Sequence, residues 1–186
     1  AEGDAEGETL LRTAAERLPG RRASRVFLAE ALVARGRFAE TLTLLEGAPP
    51  MLSLQMARVQ ALLGLDRAQE ALAVADDQEV KSSHRAEGLE LKYIVAKHVG
   101  EWGPALDFVE KLCQSGGEAE DDGQLGHWEI EKVRCLLALG NVERALSFGG
   151  KQIGNARDAA VLASVAHEAK RSDVAQQFAA LAAGRP

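Results

Sequence analysis

A short phrase that recurs along the chain constrains its fold more than any other feature. In each copy a turn is followed by a small residue and then by apolar residues at helical spacing, most clearly after Gly36, Gly100 and Gly140. The small residues of the five copies are Thr41, Ala71, Ala105, Ala145 and Ala175. Self-similarity at a period of about 30 to 40 residues is the signature of stacked repeats, each with room for two helices and a turn.

The amino-acid composition favours helices over sheets. Hydrophobic residues make up 46% of the 186-residue sequence and charged residues 27%, which is typical of a globular protein. Alanine and leucine dominate, aromatic residues make up only 4%, and the alternating β-branched runs that mark strands are missing. We therefore predict an all-α chain that forms one array over residues 1–186.

Charge and hydropathy argue against two classes of partner. The formal net charge is −6, whereas affinity for phosphate backbones needs clustered Lys and Arg, so we expect no nucleic acid. No apolar stretch approaches the roughly 20 residues that cross a bilayer, so we expect no membrane insertion. The first residues are acidic and alanine-rich, unlike a signal peptide, and the chain begins at Ala1 without a methionine. We interpret it as a cytoplasmic fragment of a longer array, with a processed or exported form as the alternative.

The two cysteines lie on successive predicted helices. We expect Cys113 and Cys135 to be free and buried in a reducing compartment, and a disulfide between them is the alternative. Two cysteines do not identify the compartment.

The repeat units can be placed by their turns and by proline and glycine, which end helices. The predicted hairpins cover 24–48, 51–77, 84–114, 127–150 and 156–184, after a partial unit at 6–20. The polar stretch 76–83 should separate two units. The acidic, glycine-rich stretch 115–126 should be a flexible loop, and it accounts for the long interval between Ala105 and Ala145.

Several local features follow from the same phasing. Ser24 and Ser172 are candidate helix caps, and Phe27, Leu28, Ala31 and Leu32 should face neighbouring helices. The turn inside the 51–77 unit should be two residues longer than the others. Gly149, Gly150 and Gly154 should loosen the end of the 127–150 unit.

The units resemble tetratricopeptide repeats, whose pattern sets small residues, a large apolar residue, a turn glycine and an aromatic within a period of about 34 residues. The best stretches are ALVARGRFAETLTLL, AKHVGEWGPALDFVEKL and CLLALGNVERALSF. The resemblance covers most of the chain, and a related helical-hairpin array with a looser consensus is the alternative. It implies a right-handed α-solenoid of antiparallel helix pairs, whose first helices line a concave groove for a peptide or helix.

The resemblance also implies which residues line that groove. The family's groove positions correspond here to Glu30, Glu90, Ile94, Lys97, His98, His127, Ile130, Arg134, Arg157 and His167. The basic members can bind a carboxylate of a partner peptide, because Arg offers a planar fork and Lys a point charge. The alternative is that they pair with Glu90, Glu131 and other neighbours as an ordinary solvated face. The family's Lys and Asn clamp for a C-terminal carboxylate is not reproduced.

These observations predict a protein-interaction scaffold that binds a partner's peptide or helix and belongs to a larger protein or complex. The alternative is a structural or self-association module that packs against another domain of its own chain, such as a regulator or ATPase, and binds no free peptide. The sequence lacks GxxxxGK, HExxH, GxSxG and CxxC signatures, so we expect no enzyme activity and no cofactor.

A metal site is also not expected. Three histidines map to the groove, but His98, His127 and His167 come from different repeats and lack ligand spacing. The acidic stretch from Glu118 to Glu129 partly fits a calcium loop, although its first two acidic positions carry the bulkier Glu. A flexible acidic insertion is the favoured interpretation.

Overall fold

The computed structural model describes residues 7, 9–13, 17, 22–81, 85–115 and 125–183, and every regular element in them is a helix. Residues 9–13 are helical, within the predicted partial unit. From residue 22 onward the described helices are α1 (Arg22–Ala34), α2 (Phe38–Leu44), α3 (Leu52–Gly64), α4 (Ala68–Lys81), α5 (Arg85–Val99), α6 (Trp102–Ser115), α7 (His127–Ala138), α8 (Val142–Gln152), α9 (Ala156–Glu168) and α10 (Ser172–Ala183).

The chain divides into two compact units, residues 1–91 and 92–186, and the division falls within α5. In the first unit, α1 packs against α2 and α3, α2 against α3, and α3 against α4. In the second unit, α6 packs against α7, α7 against α8 and α9, α8 against α10, and α9 against α10. Consecutive helices therefore pack together, and α7 and α9, which begin successive predicted hairpins, also pack side by side.

The turns inside the hairpins share one geometry. Each contains a residue in the left-handed region, namely Gly36 (φ 70°), Asp66 (φ 57°), Gly100 (φ 79°), Gly140 (φ 74°) and Lys170 (φ 58°). The next residue's amide donates to a carbonyl five residues earlier, as from Arg67 to Leu62 and from Arg171 to Ala166, both at 2.9 Å. The prediction of a longer turn in the 51–77 unit is therefore wrong, because Asp66 takes the conformation that glycine adopts elsewhere.

The predicted small residues are buried in four of the five hairpins. Thr41, Ala71, Ala105 and Ala145 are 0% exposed. In the last hairpin Ala175 is only half-buried, and Val174 and Phe178 are the fully buried pair. The predicted Phe178 is thus buried, and Ala175, which lies five residues after Lys170 as in the other hairpins, packs half-buried against the core of the second unit.

Two helices extend beyond their predicted ends. Helix α4 continues to Lys81, although a break was expected over 76–83, because polar residues such as the exposed Asp76 and Asp77 do not by themselves end a helix. Helix α8 continues to Gln152. Its Gly149 does not loosen the end, since a Cβ there would lie 2.8 Å from Phe178 and 2.9 Å from Leu162. This glycine instead permits close packing.

The predicted caps are also corrected. Ser24 and Ser172 lie inside the first turns of α1 and α10 rather than before them. The side chain that caps α9 is Asn155, whose Oδ1 accepts from the Asp158 amide at 3.0 Å. At the start of α7, Glu129 accepts from the Gly126 amide at 2.8 Å.

Each unit has its own apolar core. In the first unit a cluster joins Ala29, Leu45, Leu54 and Ala57, whereas Phe27 is 57% exposed instead of facing neighbours as predicted. The core of the second unit draws on helices α5 to α10 and includes Tyr93 and Phe178. Both cysteines are free, one half-buried and one buried. No described helix has the length and apolar content to cross a membrane.

Some predictions lie outside the described residues. These are residues 116–124 of the acidic stretch, with the first acidic positions of the calcium-loop alternative, and most of the partial unit at 6–20. The prediction of one continuous array over residues 1–186 stays a prediction.

Candidate functional site

A polar cluster in the second unit is centred on the carboxylate of Glu131, which is only 6% exposed. One of its oxygens, Oε2, accepts hydrogen bonds from the Tyr93 hydroxyl and from Lys97 Nζ, the latter at 2.8 Å. Arg134 Nε lies 3.2 Å from the same oxygen as an ion pair. A buried carboxylate is costly unless several donors compensate it, and here three side chains surround it.

Arg134 extends the polar cluster to the next first helix. Its Nη1 donates to Glu168 Oε2 near the end of α9, while its buried Nε makes no hydrogen bond to any described group. The cluster thus connects three helices. It joins Tyr93 and Lys97 of α5 to Glu131 and Arg134 of α7, and Arg134 to Glu168 of α9. Its two cations and two carboxylates balance, so it adds no net charge to the surface.

Aromatic rings enclose one side of the polar cluster. The Tyr93 and Trp128 rings meet edge to face with centroids 5.6 Å apart, and Lys97 Nζ lies 5.4 Å from the Tyr93 centroid. The exposed His127 ring lies 4.7 Å from Trp128. Such contacts shield the ionic contacts from water and favour one arrangement of the side chains.

The burial and bonding of the polar cluster shift the pKa values of its members. Burial raises the pKa of the Tyr93 hydroxyl strongly, and its hydrogen bond to Glu131 adds to the effect. Burial alone would raise the pKa of Glu131, but hydrogen bonds from Lys97 and Tyr93 outweigh it and hold that pKa below its ordinary value. Arg134 has a raised pKa, because Glu168 and Glu131 outweigh the opposite effect of burial. At neutral pH the cluster therefore holds a charged carboxylate and a neutral tyrosine donor.

The structure brings together only two of the predicted basic residues through a shared partner. Lys97 and Arg134 both contact Glu131, as the pairing alternative anticipated, although Glu131 is buried rather than solvated. Lys97 keeps 37% of its side chain exposed and Arg134 keeps 24%. Their charges are thus largely satisfied within the protein.

The other predicted residues differ in exposure. His98, His127, Arg157 and His167 are exposed on α5, α7 and α9. Ile94 and Ile130 are half-buried against the core of the second unit. We call these six residues the first-helix face.

Two predicted residues belong to the first unit. Glu90 is half-buried on α5, and the exposed Glu30 borders an open depression of about 340 Å³ between α1 and α3. The predicted set is therefore shared between the two units.

The sequence did not predict Tyr93 and Glu168 as site residues. It offered Glu131 only as a solvated partner of the basic residues, not as a buried centre. One signal was available in the sequence. Glu131 falls between Trp128 and Cys135 at spacings of three and four residues, so a carboxylate interrupts an apolar stripe of α7. A charged residue in such a stripe indicates a buried ionic partner.

The described residues contain no group of His, Cys, Asp and Glu arranged to hold a metal ion. The polar cluster compensates the buried Glu131 carboxylate with hydrogen bonds and an ion pair, and it links the first helices α5, α7 and α9. None of the protein-family models matches the chain, and no curated protein matches it.

Proposed function

We propose that this chain is a protein-interaction module that binds a peptide or helix of a partner across the first-helix face of the second unit. In this proposal the hairpins are tetratricopeptide-like and coil with the right-handed sense of that family. Its support is the side-by-side packing of α7 and α9, which presents successive first helices as one extended surface.

The observation that carries the proposal is the polar cluster. It joins α5, α7 and α9 through Lys97, Glu131, Arg134 and Glu168, so the exposed side chains between these contacts keep a fixed spacing. A surface held in advance loses less conformational entropy on binding. Because the cluster is neutral, recognition rests on the exposed His98, His127, Arg157 and His167 and on the half-buried isoleucines.

The test is a binding screen with an array of synthetic peptides, followed by affinity measurements on the hits. His98→Glu with His167→Glu adds two carboxylates to the first-helix face without changing the polar cluster. The matched control, Gln176→Glu with Gln177→Glu, adds two carboxylates to the exposed surface of α10. We expect dissociation constants to rise about tenfold or more in the face variant and to stay within about twofold in the control.

Two results would reject the proposal. One is an array with no peptide that binds the wild-type protein. The other is a set of hits whose affinities change equally in the face variant and the control.

Self-association is a second candidate, and it has its own observation. Phe27 is 57% exposed and Leu10 is 70% exposed in the first unit, and large exposed apolar groups often mark contact surfaces. Sedimentation of wild type and Phe27→Glu across protein concentrations tests it, with a loss of dimer expected in the variant. A wild-type protein that stays monomeric at all concentrations would contradict it. Phe178 of the second unit is fully buried, so it cannot contribute to a self-association surface.

A further inference from the structure

A basic depression lies on the second unit, away from the first-helix face. It is open, with a volume of about 440 Å³, and α7 and α8 line it with Lys132, Leu136, Arg144, Ser147, Phe148 and Lys151. Glu143 stands at its rim, and Glu110 of α6 contacts two of its cations. None of these residues belongs to the polar cluster.

The charges of the basic depression are incompletely balanced. Glu110 Oε1 serves both Lys132 Nζ at 3.1 Å and Arg144 Nη2 at 3.6 Å, while Lys151 forms no ion pair within the described residues. Three cations face two carboxylates, Glu110 and Glu143, so one positive charge is in excess where the whole chain carries −6. An anionic partner group is therefore favoured at this place.

The floor of the basic depression is apolar. Leu136 is 1% exposed and Phe148 is half-buried. Lys132 Nζ lies over the Phe148 ring, 4.6 Å from its centroid, in a cation–π contact. Arg144 and Lys151 stand on either side of Phe148 along α8, seven residues apart. At about 1.5 Å per residue their Cα atoms are about 10 Å apart along the axis.

We propose that the basic depression binds a helix of a partner protein that carries two carboxylates seven residues apart with an aliphatic side chain between them. The two carboxylates would meet Arg144 and Lys151, because residues seven apart on a second helix have the same axial separation. The aliphatic side chain would cover the half-buried Phe148 ring and remove its apolar surface from water. This surface is distinct from the first-helix face, so the two can bind different segments.

The probe is a labelled, alanine-based helical peptide with two glutamates seven residues apart and two leucines between them. A second peptide carries glutamine in place of both glutamates, and a labelled single-stranded DNA reports general attraction of anions. Fluorescence anisotropy at fixed salt compares wild type, Arg144→Glu with Lys151→Glu, and Arg157→Glu on the first-helix face. Arg144 has 62% of its side chain exposed and Lys151 is exposed, so the double variant should keep its fold, which circular dichroism checks.

We expect the glutamate peptide to bind wild type about tenfold more tightly than the glutamine peptide, and the double variant to lose about tenfold. Arg157→Glu should leave this affinity within about twofold. The proposal is overturned if the glutamate peptide does not bind, if the glutamine peptide binds equally well, or if the DNA competes as effectively. The peptide screen of the first-helix face and the anisotropy measurement on the basic depression use different probes and variants. Either proposal can therefore be rejected without rejecting the other.

Discussion

Helix α7 presents one closed face, which carries Glu131 of the polar cluster, and one open face, which lines the basic depression, and the two faces use charge differently. On the closed face, Glu131 is 6% exposed, and one of its oxygens accepts hydrogen bonds from Tyr93 and Lys97 and forms an ion pair with Arg134. On the open face, Glu110 keeps 33% of its side chain exposed, with Lys132 and Arg144 beside it. Similar residue types thus hold helices together in one place and remain accessible to a partner in the other. The exposure of the central carboxylate, more than residue type, separates the two faces.

The largest effect should follow from removing the centre of the closed face. Glu131→Ala leaves Lys97 and Arg134 without their shared carboxylate and Tyr93 without its acceptor. Arg134 keeps its pair with Glu168, but the Tyr93 hydroxyl and Arg134 Nε stay buried without an acceptor, so we expect the free energy of unfolding to fall by about 3 kcal/mol. Urea denaturation followed by circular dichroism measures it. A loss below about 1 kcal/mol would show that the closed and open faces do not differ.

The next effect concerns the shape of α8 rather than its charge. Gly149→Ala places a methyl group 2.8 Å from Phe178 and 2.9 Å from Leu162, both fully buried, so we expect a loss of about 2 kcal/mol. Gly150→Ala is the matched control, since its Cβ meets only the exposed Leu181 at 3.4 Å. The control should be neutral or slightly stabilising, because alanine favours a helix over glycine. Equal urea midpoints for the two variants would contradict close packing at Gly149.

A smaller effect should appear with alkaline pH. The pKa of Tyr93 is raised in the folded protein, so its stabilising contribution is present below the ordinary value near 10 and is lost as pH rises above it. One such group costs about 1.4 kcal/mol per pH unit in that range. Burial also raises the pKa of the Cys135 thiol, to about 11, and it titrates in a similar range.

The variant Tyr93→Phe separates the two contributions. In wild type the free energy of unfolding should decrease between pH 8 and pH 11. In Tyr93→Phe this decrease should be smaller by about 1 kcal/mol. Identical pH dependence in both proteins would show that the hydroxyl of Tyr93 does not titrate with unfolding. Cys135→Ala serves as the parallel control for the thiol.

The sequence predicted the helical hairpins well because their signals are local. Gly36, Gly100 and Gly140 each end a helix in the left-handed conformation, and the residue five positions later is buried in each case. Asp66 and Lys170 adopt the same conformation without the glycine signal, so the pattern alone gave the wrong length for the turn at Asp66. In these hairpins the tertiary structure overrides the local preference of the turn residue.

The polar cluster and the basic depression were harder to predict, because both depend on which helices meet. Lys97 and Glu131 lie on different helices, far apart in the sequence, and so do Arg134 and Glu168. Neither pairing follows from the composition of a single helix. Gly149 shows the same limit. From the sequence alone a glycine near a helix end is expected to break the helix, and its role in close packing follows only from the position of Phe178.

The smallest expected change in stability concerns Glu110 on the open face. Glu110→Gln removes the carboxylate that serves Lys132 and Arg144 but keeps the size of the side chain. Glu110 keeps a third of its side chain in contact with water and Arg144 more than half, and ion pairs that water reaches contribute little, so the free energy of unfolding should change by less than about 1 kcal/mol. The affinity for the glutamate peptide should instead increase by about threefold, because both cations gain freedom to meet an added carboxylate. Weaker peptide binding in Glu110→Gln would mean that Glu110 positions the two cations, and it would remove the charge argument for the open face.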